Sequence, residues 1–260
     1  MQASLERMAM TDPPQNGPMA ERLAVAVLAD CHVEEQDLAA LCATLRLICD
    51  QHPLQLVLLG DIFERWTDTE RRVAKAQRFF SVLQELKQHG THIVMIRGNR
   101  EVIAGRRLEI ALGVPLEDFH TVTLAKQRIA FLHGEQLFDE VGLRALTIFL
   151  RGFWLAPLLH ALPGFILDSL TAVVRSFSRE RNRRRLPTYQ AARLRPRALQ
   201  DADHLILGHV HRFWHLHGMS KNLTVVAPWT PERPRWFAIY ADGHWEEQEV
   251  ALPLPRLAPE

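Results

Sequence analysis

RLAVAVLADCH, residues 22–32, runs seven apolar residues together and then stops on an aspartate and a histidine. An uninterrupted apolar run of this length reads as a strand buried on both faces. The same design recurs in LQLVLLGD (54–61), HIVMIRGN (92–99), RIAFLHGE (128–135) and HLILGHVH (204–211). Between the early runs, 36–50 and 70–88 carry apolar residues at three- and four-residue spacing, which predicts helices. Strand alternating with helix predicts βαβ units and a largely parallel inner sheet. LTVVAPW (223–229) and RWFAIYADG (235–243) predict two strands joined without a helix, a second sheet closing a sandwich.

Around these strands the composition is that of a globular protein. The chain has 260 residues, 47% of them hydrophobic and 23% charged, with a formal net charge of +1. That balance excludes a polyelectrolyte binder, so any attraction to phosphate has to be local. The three cysteines all lie within residues 31–49 without paired spacing, against a disulfide framework and for a reducing, cytoplasmic setting. Residues 1–20 are polar and lack the apolar centre of a signal peptide, and read as a loose extension. The stretch 152–167 is uncharged but shorter than the roughly 20 residues of a spanning helix, and prolines interrupt it. It belongs to an apolar, helix-patterned region that ends in SFSRERNRRR (176–185). The expected organisation is therefore a core of 21–142 and 201–250, with a helical cap inserted at 143–200.

Five strand ends carry potential metal ligands: Asp30 and His32, Asp61, Asn99, His133, then His209 and His211. Carboxyl ends of strands in an open α/β sheet converge on one crevice. In extended chain, residues i and i+2 share a side, so Asp30/His32 and His209/His211 are each expected to clamp one face of a metal centre. Carboxylate, imidazole and amide oxygen suit manganese, iron or zinc, and the lack of thiolates argues against structural zinc. Seven donors exceed one tetrahedral ion but suit two ions about 3.5–4 Å apart, which would activate a shared water and steady charge on a phosphoryl oxygen. Asp61, following a glycine, is the natural bridge. His215 and His217 lie beyond the GHVH turn and read as strand or loop residues, and Cys31 as a small core residue.

The order D-x-H, GD, GNR, HG, GHxH resembles the calcineurin-like metallophosphoesterase superfamily over residues 22–240, and implies its four-layer α/β/β/α sandwich. GDIFERW, GNREVIAG, HGEQLFDE and GHVHR are similar, more narrowly, to the UDP-2,3-diacylglucosamine diphosphatase family. That resemblance implies a pair of divalent ions, manganese by preference, and hydrolysis of a lipid-linked sugar nucleotide to UMP and 2,3-diacylglucosamine 1-phosphate in lipid A biosynthesis. Asp61, Asn99 and His209 would act at the reacting phosphate. Arg100, where many superfamily members have histidine, would neutralise it through a guanidinium fork. Ser178, Asn182 and Arg185 stand at the spacing of the family's S-x3-N-x2-K pattern in the cap, with arginine in place of lysine, and its acidic contact falls on Glu140. Glu101 and Glu135 stand where the family has aspartate, and the tail VAPWTPERP departs from its pattern too.

The arginine cluster at 175–185 reads as a contact for an anionic membrane surface beside the apolar cap, with nucleic acid excluded by the absence of a wider basic footprint. The enzyme is thus expected in the cytoplasm, peripherally on the inner membrane. Two other readings stay open. One is a metallophosphoesterase for another nucleotide or phosphodiester. The other is a non-catalytic scaffold of the same fold, which the complete ligand set disfavours.

Overall fold

The structure is a computed structural model, and it describes residues 22–64, 66, 68–101, 106–135, 137, 197–217 and 221–251. The expected extension at 1–20, the cap over 143–196, and Glu140, Ser178, Asn182 and Arg185 lie outside those residues.

Two sheets stack face to face. The first has the order β11-β10-β1-β2-β3-β4, where β1 is Leu23–Leu28, β2 Gln55–Leu58, β3 His92–Ile96, β4 Leu116–Glu117, β10 Arg235–Tyr240 and β11 Trp245–Glu249. The second has the order β5-β6-β7-β9-β8, with β5 His120–Leu124, β6 Gln127–Leu132, β7 His204–Leu207, β8 Trp214–His217 and β9 Asn222–Val225. Strand alternation sorts the core into three layers. Val57, Val94, Phe131, Ile206 and Phe237 meet between the sheets. Leu58, Met95 and Ala238 face outward onto α1 (Leu38–Cys49) and α3 (Gln77–Gln88), whose Leu41, Leu45, Phe79 and Leu83 close that side. Leu132, Leu205 and Val225 face the other way, against Leu137 and against Leu199 of α5 (Arg197–Gln200). These are the layers of the expected α/β/β/α sandwich.

Three expectations change. The runs at 128–135 and 204–211 do not join the first parallel sheet; they pair with each other, in parallel, as the centre of the second. The two tail strands part company: β9 lies parallel to β7, whereas β10 crosses to the first sheet and pairs antiparallel with β1. Trp229, on the crossing, donates its indole N–H to the Thr44 hydroxyl of α1 at 3.1 Å. The helix expected at 70–88 breaks at Ala76 into α2 (Glu70–Lys75) and α3, and the Thr69 hydroxyl caps α2 by accepting from Arg72 N. A further helix, α4 (Arg106–Leu112), is held by Asp68, whose carboxylate accepts from the backbone N–H of Arg107 and Leu108 at 3.1 and 3.0 Å.

All three thiols are free, and Cys31 and Cys42 are buried. Burial pushes Cys42 up to about 11, and burial beside Asp30, Glu101 and Asp61 pushes Cys31 well above the usual thiol range. A thiol reagent at pH 8 should therefore modify half-buried Cys49 first and reach the other two only on unfolding. Time-resolved thiol counting with and without denaturant checks this.

Candidate metal centre

All seven donors lie at the same end of the two sheets, just past the ends of β1, β2, β3, β6 and β7. They do not converge as extended clamps. Asp30, His32, Asp61, His209 and His211 all have left-handed backbone, with φ of 48°, 46°, 51°, 71° and 57°. Few non-glycine residues adopt it, and such strain persists only where surrounding bonds enforce it. Here those bonds are visible. His32 N and Val33 N donate to the carbonyls of Asp61 and Ile62 at 2.9 Å each, so the loops after β1 and β2 stay zipped together through their kinks.

The side chains then interlock. Ligand atoms of Asp30, His32 and His211 lie within 4.8 Å of one another, as do those of Asp30, Asp61 and His133. Asp30 belongs to both groups. Asp61 also faces both, with Oδ2 4.0 Å from His32 Nε2 and 3.6 Å from His133 Nε2. Asn99 packs its amide against both Asp61 oxygens, and with the amide nitrogen turned towards them it donates to Oδ1 at 2.8 Å. His209 donates its backbone N–H to Asp30 Oδ2 at 2.7 Å and sets its ring edge-on to His133. His32 and His211 stack, with their Nε2 atoms 3.2 Å apart.

A cation fits this arrangement. Asp30 Oδ1 and His133 Nε2 are buried and have no hydrogen-bond partner, a costly condition that a shared metal ion would relieve. His133 donates Nδ1–H to the Leu59 carbonyl at 2.9 Å, which leaves Nε2 as the ligand nitrogen. Glu64 lies against the other ring nitrogen of His32, with Oε2 3.3 Å from Nδ1.

Electrostatics agree. Burial alone would lower the pKa of His133, but the Asp61 and Asp30 carboxylates outweigh it and hold the ring up at about 9. Burial opposes ionisation of Asp61, yet His133, His32 and Arg100 keep its carboxyl below the usual range. His211, by contrast, is pushed down by burial. Without ions, the raised His133 stabilises the fold fully below the ordinary histidine range, and that contribution fades as pH rises through about 9. A metal must displace the same proton. Affinity of the ion-free protein for Mn2+ should thus climb about tenfold per pH unit from 7 towards 9 for each proton displaced, then level off. Calorimetry in buffers of different ionisation enthalpy would count the protons released.

Arg100 sits beside the donors. Its backbone N–H donates to Asp61 Oδ1 at 2.7 Å, and its guanidinium lies 3.7 Å from Asp61 Oδ2 and 3.5 Å from Glu64 Oε1. His215 stays out: Nδ1 meets the Thr224 hydroxyl at 2.7 Å, against Trp245, in the second sheet. Two buried carboxylates carry parts that residue-by-residue reading did not assign. Glu64 links His32 to Arg100. Glu101, noted only as a departure from a family pattern, is wholly buried and accepts from four backbone N–H groups. Burial, with the Asp61 charge nearby, pushes its carboxyl up to about 7.

A sandwich whose strand ends deliver this donor set defines a metal-dependent phosphoesterase. The chain belongs to the calcineurin-like phosphoesterase family, whose model matches residues 23–213. Among its relatives is the UDP-2,3-diacylglucosamine hydrolase of Klebsiella pneumoniae subsp. pneumoniae, 25% identical over 88% of this chain and 95% of that one. The enzyme of the same name from Escherichia fergusonii is 26% identical over 73% of this chain and 82% of that one. Similar solved structures include an archaeal phosphodiesterase (TM-score 0.44, 11% identity, 87% of this chain and 99% of that one). The zinc complex of Vps29 from Entamoeba histolytica is another (TM-score 0.43, 13% identity, 87% and 97%).

Proposed function

We propose that the protein hydrolyses the pyrophosphate bond of UDP-2,3-diacylglucosamine, releasing UMP and 2,3-diacylglucosamine 1-phosphate for lipid A synthesis. The observation that carries the reading is Arg100, an arginine after the asparagine donor, braced by Glu64 against Asp61. The relatives' shared name points the same way.

In this reading Asp30, His32, Asp61, Asn99, His133, His209 and His211 hold two divalent ions, manganese by family resemblance. When bound, these would supply Lewis acidity and an activated water at the phosphorus next to uridine. The chain's own groups do the rest. Asp61 would be one of the ligands, and its charge keeps His133 and Arg100 in place. Asn99 and His209 orient the attacked phosphate. Arg100 neutralises charge growing on its oxygens, and its planar fork fits them two at a time. Glu140, Ser178, Asn182 and Arg185 grip the glucosamine end. The arginine-rich stretch holds the cap on the anionic cytoplasmic surface of the inner membrane; no described helix is long and apolar enough to cross one.

The test is mass spectrometry of products from purified protein, Mn2+ and the diacylated sugar nucleotide in 18O-water. UMP carrying the label supports the reading. Label in the sugar phosphate would reverse the point of attack. Cleavage of a small chromogenic diester with the lipid nucleotide untouched would favour a phosphodiesterase for another substrate.

A further inference from the structure

Glu101 is a carboxylate with no solvent exposure, and it accepts hydrogen bonds from four backbone N–H groups. Oε2 accepts from Asp61 N at 2.9 Å and Gly98 N at 3.1 Å. Oε1 accepts from Ile62 N at 2.9 Å and Phe63 N at 3.3 Å. The donors come from two loops, one carrying Asp61 and one carrying Asn99 and Arg100. The exchange is reciprocal: the first loop gives the Asp61 N–H to Glu101, and the second returns the Arg100 N–H to the Asp61 carboxylate at 2.7 Å. Each loop thus ends in a carboxylate seated on the other's backbone.

We propose that Glu101 is a positioning residue for the metal centre: its carboxylate fixes the separation of the two loops and so sets where Asp61, Asn99 and Arg100 meet the ions. The physical reason is twofold. Asp61 holds left-handed backbone, at φ 51°, and would relax without an acceptor for its N–H. Each carboxylate oxygen also takes two of the N–H donors, so both oxygens tie the loops together where an amide would offer only one acceptor oxygen. The inference needs a metal centre but no particular substrate, so its test uses ion binding alone and would stand or fall independently of the sugar-nucleotide reading.

Two variants are compared with the unaltered full chain, by calorimetry with Mn2+, by thermal unfolding, and by low-temperature EPR for spin-coupled manganese pairs. Glu101→Gln is isosteric, but whichever way its amide turns, an NH2 group faces backbone N–H donors. It should bind Mn2+ about ten- to a hundredfold more weakly and lose the coupled-pair signal. Glu101→Asp keeps the charge on a stem one methylene shorter and should fall between the two, several-fold weaker than the unaltered protein. Lower melting temperature with unchanged Mn2+ affinity and an intact pair signal would reduce Glu101 to a brace for the fold and overturn the proposal. If Glu101→Gln does not fold, Glu101→Asp decides: unaltered affinity and pair signal overturn it, and a several-fold loss supports it.

Discussion

Replacing Asp61 by asparagine should leave a folded protein that has lost most of its bound metal and turns over on the order of a thousandfold more slowly, or worse. The side chain keeps its size but gives up the charge that organises the site. His133 Nε2 at 3.6 Å, Arg100 Nε at 3.7 Å and His32 Nε2 at 4.0 Å all face the same Asp61 oxygen. With a neutral amide there, His133 drops from its raised pKa of about 9 and the Arg100 guanidinium loses one of its two carboxylates. The lost stabilisation of charge at the phosphate is several kcal/mol, and about 1.4 kcal/mol is a factor of ten in rate. Metal content by elemental analysis and steady-state rates check both halves. His215→Ala is the control. It removes a ring bonded to Thr224, costs about 1–3 kcal/mol of stability through the disturbed buried hydroxyl, and should leave metal content alone. Equal loss of metal in both variants would undo the division of the GHVHRFWHLH histidines into ligands and bystanders.

Much of the centre can be read from letters because each donor sits just past a strand buried on both faces. Such strands are written as unbroken apolar runs, and a polar residue ending the run is conspicuous. The donor side chains of Asp30, Asp61 and His133 stand out for that reason. Sheet membership does not. An apolar run says that both faces are covered, not which strand lies alongside, so nothing in RWFAIYADG marks β10 as the neighbour of β1, more than 200 residues earlier. The conformation of the donors is hidden too. Alternation supplies the i, i+2 rule only while the chain stays extended, and the strand ends at Leu28, before Asp30. Glu64 and Glu101 are harder still. They are charged residues in loops, with no periodicity to flag them, and their parts come from groups distant in sequence: Glu64 meets the His32 and Arg100 side chains, and Glu101 meets backbone donors 38 to 40 positions away. The only sequence signal was the glutamate following GNR where a related family has aspartate.

Gly98 lets the two loops interlock, and Gly98→Ala should be nearly as damaging as losing Asp61. A Cβ at this position would lie 2.3 Å from both Asp61 N and Asp61 Oδ1, and 2.9 Å from Glu101 Oε2. Gly98 is not among the residues with positive φ, so its requirement is space rather than backbone freedom. One of the blocking atoms is main chain, which no rotamer change can clear; the loop itself has to move. Overpacking of this kind costs about 1–3 kcal/mol, and a shift of about 1 Å among catalytic groups costs about a hundredfold in rate. Gly90→Ala separates the causes. There an added Cβ meets nothing within 4 Å, but φ is +87°, so the penalty is backbone strain of about 1–2 kcal/mol, in the turn before β3, away from the ligands. Melting temperature should fall in both variants. Manganese stoichiometry and rate should fall only in Gly98→Ala, because only there does the inserted methyl separate the carboxylate from the asparagine and arginine that face it. A Gly98→Ala protein with full metal and full rate would mean that the loops tolerate separation, and that their close contact is not what assembles the centre.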